Sequence, residues 1–556
     1  MVFSSLSFLL FFLPAVVAIY YICPRRIPAF RNGWLFLASL VFYGCGDLRF
    51  LPVFLGGIIW NYVFGLLIGR CRKPQTQPQT GAAPEPQAQL QAGGNTQSQA
   101  RPQAGTNPEL LRKVLLILCL TGDLGLLAVF KYAAFVLTNV QHFSGFPTEI
   151  PEIILPIGIS FFTFQEISYI ADVYRGAKAQ RNPLYVGLYI AFFPQLIAGP
   201  ILRYNDFAPQ ITNRKETVAD FTDGFYRFSA GLCKKVLIAN QLGQMTKYLL
   251  DKDSLDERCA PLLVLPVLGF GLQLYMDFSG YSDMAIGLGS MFGFHIPENF
   301  RDPYTADSAS DFWRRWHISL SGWFRDYVYI SLGGSRRGTL RTVCNLMAVW
   351  FLTGLWHGAC WPCVLWGLIW GAWLICEKYL IRPSQRSRLF RHVYQVVTIA
   401  SAMSLFSCLY LTDLAWLTNV WRGIFSPAHW AMTAGQIPAL KLWLHDTGPY
   451  LAAALILSLA LPRKLMAMIT GHAGQRSLHT KGIIPASHAE EAETTSGSTA
   501  APAEREDTGI PQAAQSARRQ QPALQLICSL LLLLCMVLSI SFLAGSAYNP
   551  FLYFQF

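Results

Sequence analysis

Residues 343–375 read VCNLMAVWFLTGLWHGACWPCVLWGLIWGAWLI, and this run decides the class of fold. It contains no Asp, Glu, Lys or Arg and a single histidine, His357. About 20 apolar residues are enough to cross the hydrocarbon core of a bilayer. The run is therefore long enough for more than one crossing, and it predicts membrane-spanning helices.

Similar apolar runs occur along the whole chain of 556 residues. The composition agrees, with 53% hydrophobic and 14% charged residues, whereas soluble domains carry about 25% charged residues. The sequence predicts an all-α polytopic membrane protein with roughly nine to twelve transmembrane or re-entrant helices. The clear runs are Phe3 to Ile22, Leu51 to Ile68, Val114 to Val140 and Leu524 to Leu543, and weaker ones are Ile153 to Tyr174, Tyr185 to Ile201, Leu262 to Leu274, His392 to Leu411 and Leu451 to Leu461.

The net charge of +12 indicates membrane topology rather than nucleic-acid binding. Basic residues stand at the ends of apolar runs, and the positive-inside rule places such residues in the cytoplasm. The N-terminus, the link Asp47 to Arg49 and the segment Gln141 to Glu152 are then external. The first run has no basic leader or small-residue cleavage site, so we expect it to remain as a span. The predicted cytoplasmic groups are Arg25, Arg26 and Arg31, then Arg70, Arg72, Lys73, Arg112 and Lys113, then Arg175, Lys178 and Arg181.

Two polar segments divide the chain into five parts. Residues 74–112 and 472–522 are rich in polar and small residues and cannot bury enough apolar surface to fold alone, so we expect disordered loops on the cytoplasmic side. The other parts are N-terminal transmembrane helices (1–73), a membrane core (113–471) and a C-terminal transmembrane helix with its tail (523–556). Cys360 and Cys363 have the spacing of a redox pair but no βαβ context. We interpret them as helix packing and expect no metal ion and no bound cofactor.

From Gly271 to Trp370 polar side chains interrupt the apolar sequence. Asp311, Arg314 and Arg315 together would cost roughly 9 kcal/mol on a lipid-facing helix, at about 3 kcal/mol each. This segment must therefore lie at the interface or line a cavity enclosed by protein. Asp311 and Arg315 are four residues apart, where they can pair on one helix face. An interfacial amphipathic helix with aromatic anchors is the alternative.

His357 is the sharpest signal of chemistry. Burial in a medium of low dielectric constant disfavours the imidazolium cation. A neutral ring keeps one nitrogen that can accept a proton, as a general base needs when a hydroxyl attacks a thioester. Gly354 and Gly358 flank the histidine and would let a substrate or another helix approach closely. A hydrogen-bonded structural histidine is the competing interpretation.

Short motifs follow one another along the chain in a specific order. They are Met1-Val-Phe-Ser-Ser5 with the loop at Pro24, then LPIGISFFTFQ (155–165), YIADVYR (169–175), FFPQLIAGP (192–200), MDFSGYSDMAIG (276–287), ENFRDPY (298–304), FWRRWHISL (312–320), WHG (356–358) and NPFLYFQF (549–556). In these motifs the chain resembles the membrane-bound O-acyltransferase family, in the branch of the alginate O-acetyltransferases. The resemblance runs nearly end to end and leaves out only the two polar segments.

The resemblance implies a ring of tilted helices around a central tunnel, open to an acyl donor from the cytoplasm and to an acceptor from outside. It implies that His357 is the general base and that His317, the second family histidine, orients the donor or assists proton transfer. We further predict from charge and interfacial position that Arg314 and Arg315 bind the phosphates of a coenzyme A-like donor.

Other polar residues of the motifs receive structural roles in this interpretation. We expect Asp277 and Asp283 to form ion pairs inside the helix bundle. We expect Asn299 and Gln165 to line the tunnel or to support the structure rather than to act in catalysis.

The resemblance implies an O-acyltransferase in the bacterial inner membrane. Its expected donor is acetyl-CoA in the cytoplasm, and its expected acceptor is an exported polysaccharide such as alginate. The acetyl group would pass through a periplasmic acetyltransferase-like or esterase-like partner. The alternatives are transfer of D-alanine to teichoic acid, or a transporter or flippase, because polar residues inside a membrane also mark transport pathways. A non-catalytic scaffold is disfavoured by the presence of both histidines.

Overall fold

The computed structural model describes residues 1–24, 27–71, 107–145, 150–252, 258–461, 522–545 and 549. These residues form helices joined by turns, and no β-strand occurs among them. The helices of the first half are α1 (Leu13–Ile22), α2 (Pro28–Asp47), α3 (Leu51–Arg70), α4 (Pro108–Leu127), α5 (Ala133–Ser144), α6 (Ile159–Arg175), α7 (Pro183–Ala191), α8 (Phe193–Leu196), α9 (Tyr204–Asn213), α10 (Val218–Cys233) and α11 (Asn240–Leu249). Those of the second half are α12 (Ala260–Met291), α13 (Ala309–Arg315), α14 (Ile318–Trp323), α15 (Thr339–His357), α16 (Trp361–Cys376), α17 (Arg388–Leu405), α18 (Ser407–Tyr410), α19 (Leu414–Phe425), α20 (Gln436–Ser458) and α21 (Pro522–Gly545).

Six helical stretches of the described residues are long and apolar enough to cross a membrane, and they confirm the all-α polytopic class. Other predicted spans are shorter than expected. The run from Tyr185 to Ile201 is split into α7 and α8, because the backbone leaves the helical conformation at Phe192 and Pro194 lies in the first turn of a new helix. Proline is tolerated in a first helical turn, where its missing N–H has no partner to lose. The six stretches are Pro28–Arg70, Pro108–Ser144, Ala260–Met291, Trp361–Gln385, Arg388–Tyr410 and Leu526–Gly545.

Helix α2 was absent from the predicted apolar runs because Arg31 and Asn32 interrupt its beginning. The structure buries both residues. Arg31 pairs with Glu216 at 3.0 Å and donates to the carbonyl of Cys23. Burial opposes the charge of Glu216, but a hydrogen bond from Tyr20 and the nearby guanidinium groups outweigh it and lower the pKa of this carboxyl. Arg31 is therefore a packed part of the bundle rather than a loop residue.

Helix α12 is the central helix. At 32 residues it is about 48 Å long, and it packs against α10, α11, α17 and α20. The sequence predicted a short span from Leu262 to Leu274 followed by a polar stretch. The structure continues one helix through that stretch, because Asp277 and Asp283 find cationic partners on the chain beside α10. Glycines let the two helices approach, since a Cβ on Gly231 would lie 2.4 Å from the carbonyl oxygen of Gly280.

Helix α13 lies in the polar segment that follows α12. Asp311 and Arg315 pair at 2.9 Å across one helical turn, which confirms the predicted pairing. The aromatic residues Phe312 and Trp313 are buried and pack against Trp370 of α16. The alternative of aromatic anchors at a lipid interface is therefore wrong for these side chains.

The predicted polar loops lie outside the described residues, apart from their last positions. Helix α4 begins at Pro108, five residues before the boundary predicted at residue 113. Its start is fixed by Asn107, whose side chain accepts a hydrogen bond from the backbone N–H of Glu109. At the other end of the chain, Asn549 bonds to Ser4 and Asn240.

Candidate active site

Helices α15 and α16 form a tight hairpin that positions His357. A Cβ on Gly354 would lie 2.5 Å from the carbonyl oxygen of Cys363, and one on Gly367 would lie 2.3 Å from that of Trp350. Only residues without a side chain allow these backbones to come so close. Gly354, which was predicted together with Gly358 to let a substrate or another helix approach, therefore admits helix α16. His357 is the last residue of α15, where the hairpin turns.

His357 lines a cavity of about 500 Å³, called here the histidine cavity. Its side chain is 6% exposed. The imidazole stands nearly perpendicular to the indole rings of Trp356 and Trp366, with ring centroids 4.8 and 4.9 Å away. Lys131 and Ser160 lie on the same cavity wall. The histidine is therefore packed on two sides and reachable from a cavity on another, as the predicted general base requires.

Three segments that the charge pattern placed outside the membrane meet at this cavity. Its lining includes Met1, Gly46 and the stretch from Leu155 to Phe161. Met1 begins the chain, Gly46 precedes the predicted external link, and Leu155 follows the predicted external loop. Their convergence at one cavity agrees with the predicted common side for all three segments.

His317 is held by Asn299. The Asn299 amide group donates to Ser282, and its Oδ1 accepts from the backbone N–H of Ser319. Oδ1 lies 3.1 Å from Nδ1 of His317. Because a carbonyl oxygen can only accept, Nδ1 carries the proton, and the neutral ring keeps Nε2 as its acceptor. Nε2 is buried and has no hydrogen-bond partner among the described residues.

The two predicted histidines come together around Trp356. The ring of His317 lies 6.1 Å from that of Trp356, which in turn contacts His357. His317 is 1% exposed and has a left-handed backbone with φ 45°, at the junction of α13 and α14. Two backbone hydrogen bonds, from Ile318 to the carbonyl of Asn299 and from Arg301 to the carbonyl of Arg315, hold this conformation. His317 borders neither of the cavities described here.

A second cavity, of about 1240 Å³, contains Arg314 and is called here the basic cavity. Its volume exceeds the roughly 300–1,000 Å³ of common ligand sites. None of Arg314, Lys378 and Arg391 forms an ion pair with a described residue. The lining contains two acidic residues, Asp307 and Glu377. Glu377 accepts hydrogen bonds from the backbone N–H groups at the start of α13. The basic residues of the lining are Arg314, Arg325, Lys378, Arg382, Arg388 and Arg391, with His392 beside them.

Arg314 and Arg315 point to different surroundings. Arg314 is exposed on the wall of the basic cavity. Arg315 is held by Asp311 and Thr305 and does not border that cavity. The structure thus places one of the two arginines where an anionic donor could reach it.

The two cavities lie at opposite ends of the α15–α16 hairpin. The basic cavity reaches Thr353 of α15, and the histidine cavity begins at Trp356 and His357. Thr353 and His357 are one helical turn apart, about 6 Å along the axis. Trp366 stands between the two sides and contacts both His357 and Trp313, a residue of the basic cavity.

The remaining polar predictions can be placed as well. Asp277 pairs with Lys235 at 2.6 Å, and Asp283 pairs with Lys234 and Arg227, which confirms the predicted structural pairing. Gln165 is buried. Among the described residues, no group of three or more His, Cys, Asp or Glu side chains is placed to hold a metal ion.

Sequence reasoning missed two residues of this site. Lys131 was counted only within an apolar run, although a lysine inside such a run is itself a signal. Asn299 was expected to line the tunnel or to support the structure, and its bond to His317 could not be read from spacing. Both residues depend on contacts between segments that are distant in the chain.

The helical membrane fold buries His357, the candidate proton acceptor, beside the histidine cavity and one helical turn from the basic cavity. Such an arrangement is suited to passing an acyl group to a hydroxyl. Sequence comparisons agree. The profile of the membrane-bound O-acyltransferase family matches residues 173–413, which contain both histidines. The probable alginate O-acetylase of Pseudomonas aeruginosa is 36% identical over the full length of both chains. This chain therefore belongs to the membrane-bound O-acyltransferase family, and it is an O-acyltransferase.

Two further relatives are named for different activities. The peptidoglycan O-acetyltransferase of Helicobacter pylori is 34% identical over 67% of this chain and 69% of its own. The teichoic acid D-alanyltransferase of Bacillus subtilis is 31% identical over 41% of this chain and 62% of its own. The similarity to O-acetylases thus covers more of the chain.

Proposed function

We propose that this protein moves an acetyl group from acetyl-CoA in the cytoplasm across the bacterial inner membrane for O-acetylation of an exported polysaccharide. The observation that carries the proposal is the position of His357, which borders one cavity and lies one helical turn from another. The full-length relatives are described as probable alginate O-acetylases, and another relative acetylates peptidoglycan. An exported glycan is the class of acceptor that these names share.

The basic cavity is the proposed donor site. Coenzyme A carries phosphates, and charge-assisted hydrogen bonds from guanidinium groups suit phosphate oxygens. Arg314 and Arg391 are available for this role because neither has a carboxylate partner among the described residues. The cavity reaches Thr353, so the thioester end of a donor bound there would approach His357.

The histidine cavity is the proposed acceptor site. A hydroxyl of the acceptor attacks the carbonyl carbon of the thioester, and His357 accepts its proton. The tetrahedral intermediate then collapses, the carbon–sulfur bond breaks, and the thiolate leaving group takes the proton. The acceptor hydroxyl belongs to the polysaccharide itself or to a periplasmic acetyltransferase-like partner that passes the acetyl group on. We favour the partner, because the described part of the chain contains no domain besides the helical bundle.

The test is the variant His357→Ala in cells that make the polymer. We expect loss of acetyl-ester signals in the purified polysaccharide while the protein accumulates in the membrane at normal levels. His445→Ala is the matched control, because this histidine is 86% exposed and lies outside both cavities. Full acetylation in the His357→Ala strain would overturn the proposal.

Proteoliposomes separate this function from the alternatives. With acetyl-CoA inside and an acceptor outside, an acetyltransferase releases free thiol, whereas a transporter moves intact substrate and releases none. A D-alanyl transferase would leave acetyl-CoA unchanged and would use a D-alanyl carrier protein. The smaller share of the chain that aligns with a D-alanyltransferase favours the acetyl donor.

A further inference from the structure

Lys131 is a cation inside a predicted membrane span. It lies in a π-helical turn, Ala128–Tyr132, between α4 and α5, and within the candidate span Pro108–Ser144. A lysine at membrane depth costs about 2.5–3.5 kcal/mol unless it faces protein or a cavity. Here it is half-buried and lines the histidine cavity. Single π-helical turns within α-helices are frequent at functional sites.

The ammonium group of Lys131 is held beside the catalytic histidine by neutral groups. Nζ donates to the hydroxyl of Ser160 at 3.1 Å and to the backbone carbonyl of Trp356, the residue before His357. An ammonium has three donors, so these contacts leave one donor for a ligand. Nζ also lies 5.7 Å from the centre of the Trp356 ring. The ammonium group is thus fixed in place and keeps one N–H donor for a ligand.

The charge of Lys131 is not neutralised by a carboxylate among the described residues. Lys235, a buried lysine, pairs with Asp277 at 2.6 Å, whereas Lys131 has no such partner in the described part of the chain. The lining of the histidine cavity contains no Asp or Glu. A developing negative charge in this cavity would therefore meet the fixed ammonium group of Lys131.

We propose that Lys131 is a further catalytic residue, whose ammonium group stabilises the oxyanion of the tetrahedral intermediate beside His357. This inference rests on the proposed function. As the acceptor oxygen bonds to the acyl carbon, the electron pair of the carbonyl moves onto its oxygen, which accepts a hydrogen bond from Lys131. His357 holds the proton of the hydroxyl. When the carbonyl re-forms, the carbon–sulfur bond breaks and the thiolate takes that proton.

The position of Lys131 indicates that it stabilises an oxyanion rather than binds an anionic acceptor. Lys131 bonds to the carbonyl of the residue that precedes the general base, so it lies where the attack takes place. Fixed donors aimed at charge that develops in the transition state raise kcat. A cation that only binds an acidic acceptor would instead change KM.

The test uses the full-length protein in proteoliposomes, with thiol release from acetyl-CoA as the readout. Lys131→Met keeps the length of the side chain and removes its charge. We expect kcat to fall by about 10²- to 10³-fold, with KM for acetyl-CoA changed less than about twofold, since one oxyanion donor has this effect. Lys131→Arg should recover part of the rate. Lys247→Met is the matched control, because this lysine is exposed and lies outside both cavities.

Each outcome of these measurements supports or overturns the oxyanion role of Lys131. A wild-type kcat in Lys131→Met, or a change confined to KM for the acceptor, overturns the oxyanion role. If Lys131→Met does not accumulate, Ser160→Ala decides, since it keeps the charge and removes one contact that holds it. A kcat lowered by about threefold or more then supports the role, and any smaller change overturns it. Parallel His357→Ala measurements tell the two proposals apart, because wild-type activity there removes the proposed function itself.

Discussion

Two regions of the molecule treat their charged side chains in opposite ways. Along α12, each charged side chain has an ionic partner, with Asp277 against Lys235 and Asp283 against Lys234. Around the α15–α16 hairpin, Lys131 and Arg314 border cavities and have no carboxylate partner among the described residues. Paired charges in a membrane protein stabilise the bundle, and cations held by neutral groups remain available to a ligand. The difference separates structural from functional polar residues better than sequence position does.

The largest effect is expected where a buried ion pair loses its carboxylate. Asp277→Asn would leave Lys235 buried without a carboxylate at 2.6 Å. Removing one partner of a buried pair costs about 3–5 kcal/mol, so we expect a large drop in the thermal unfolding midpoint of the detergent-solubilised protein. Adding Lys235→Met should restore much of it.

The matched control for this variant is Glu109→Gln. Glu109 pairs with Arg112 but is 65% exposed, and ion pairs at the surface contribute little to stability. Its unfolding midpoint should stay near the wild-type value. Equal midpoints for Asp277→Asn and the wild type would show that the buried pair does not stabilise the bundle.

Two adjacent arginines, Arg314 and Arg315, test the proposed donor site. Arg314→Ala should raise KM for acetyl-CoA by about 10- to 100-fold, because a hydrogen bond to a charged group contributes about 1.5–3 kcal/mol. Arg315→Ala should raise it less, since Arg315 is held by Asp311 away from the basic cavity. Initial rates of thiol release against acetyl-CoA concentration measure both, with exposed Arg422→Ala as the control. Equal effects of the two substitutions would contradict the proposed donor site.

The hairpin itself can be disturbed without touching any charge. In Gly367→Ala the new Cβ would lie 2.3 Å from the carbonyl oxygen of Trp350. Overpacking of this kind costs about 1–3 kcal/mol, and separation of α15 from α16 would displace His357. We expect lower thiol release and a lower unfolding midpoint. Gly448→Ala has open space around it and should change neither, whereas wild-type activity in Gly367→Ala would count against a tight hairpin as the support of His357.

The sequence predicted much of the fold because its signals are local. The run 343–375 predicted membrane-spanning helices, and the structure divides it into α15 and α16. Of these two, α16 belongs to a stretch that is long and apolar enough to cross a membrane. The spacing of Asp311 and Arg315 predicted their ion pair. Helix α2 was missed for the converse reason: Arg31 looked like a loop residue, and its partner Glu216 stands far away in the chain.

The site was less accessible to sequence reasoning because its contacts are long-range. Lys131 bonds to the carbonyl of Trp356, 225 positions away. Arg314 and Arg315 are neighbours with the same charge, and only the packing of α13 decides which one faces the basic cavity. Short motifs identified the two histidines through a family resemblance, but they carried no information on what holds each ring.

The smallest effect concerns Asn299, which orients a predicted catalytic residue without carrying a charge. Asn299→Ala removes the acceptor that fixes the Nδ1–H form of His317. A neutral hydrogen bond contributes about 1 kcal/mol, so we expect kcat for thiol release to fall roughly tenfold or less. Asn299→Asp keeps an acceptor at the same place and should retain more activity than the alanine variant. If His317 only fills space, the two variants should instead lose activity in proportion to their loss of thermal stability, so measuring both quantities on the same samples separates orientation of the ring from packing.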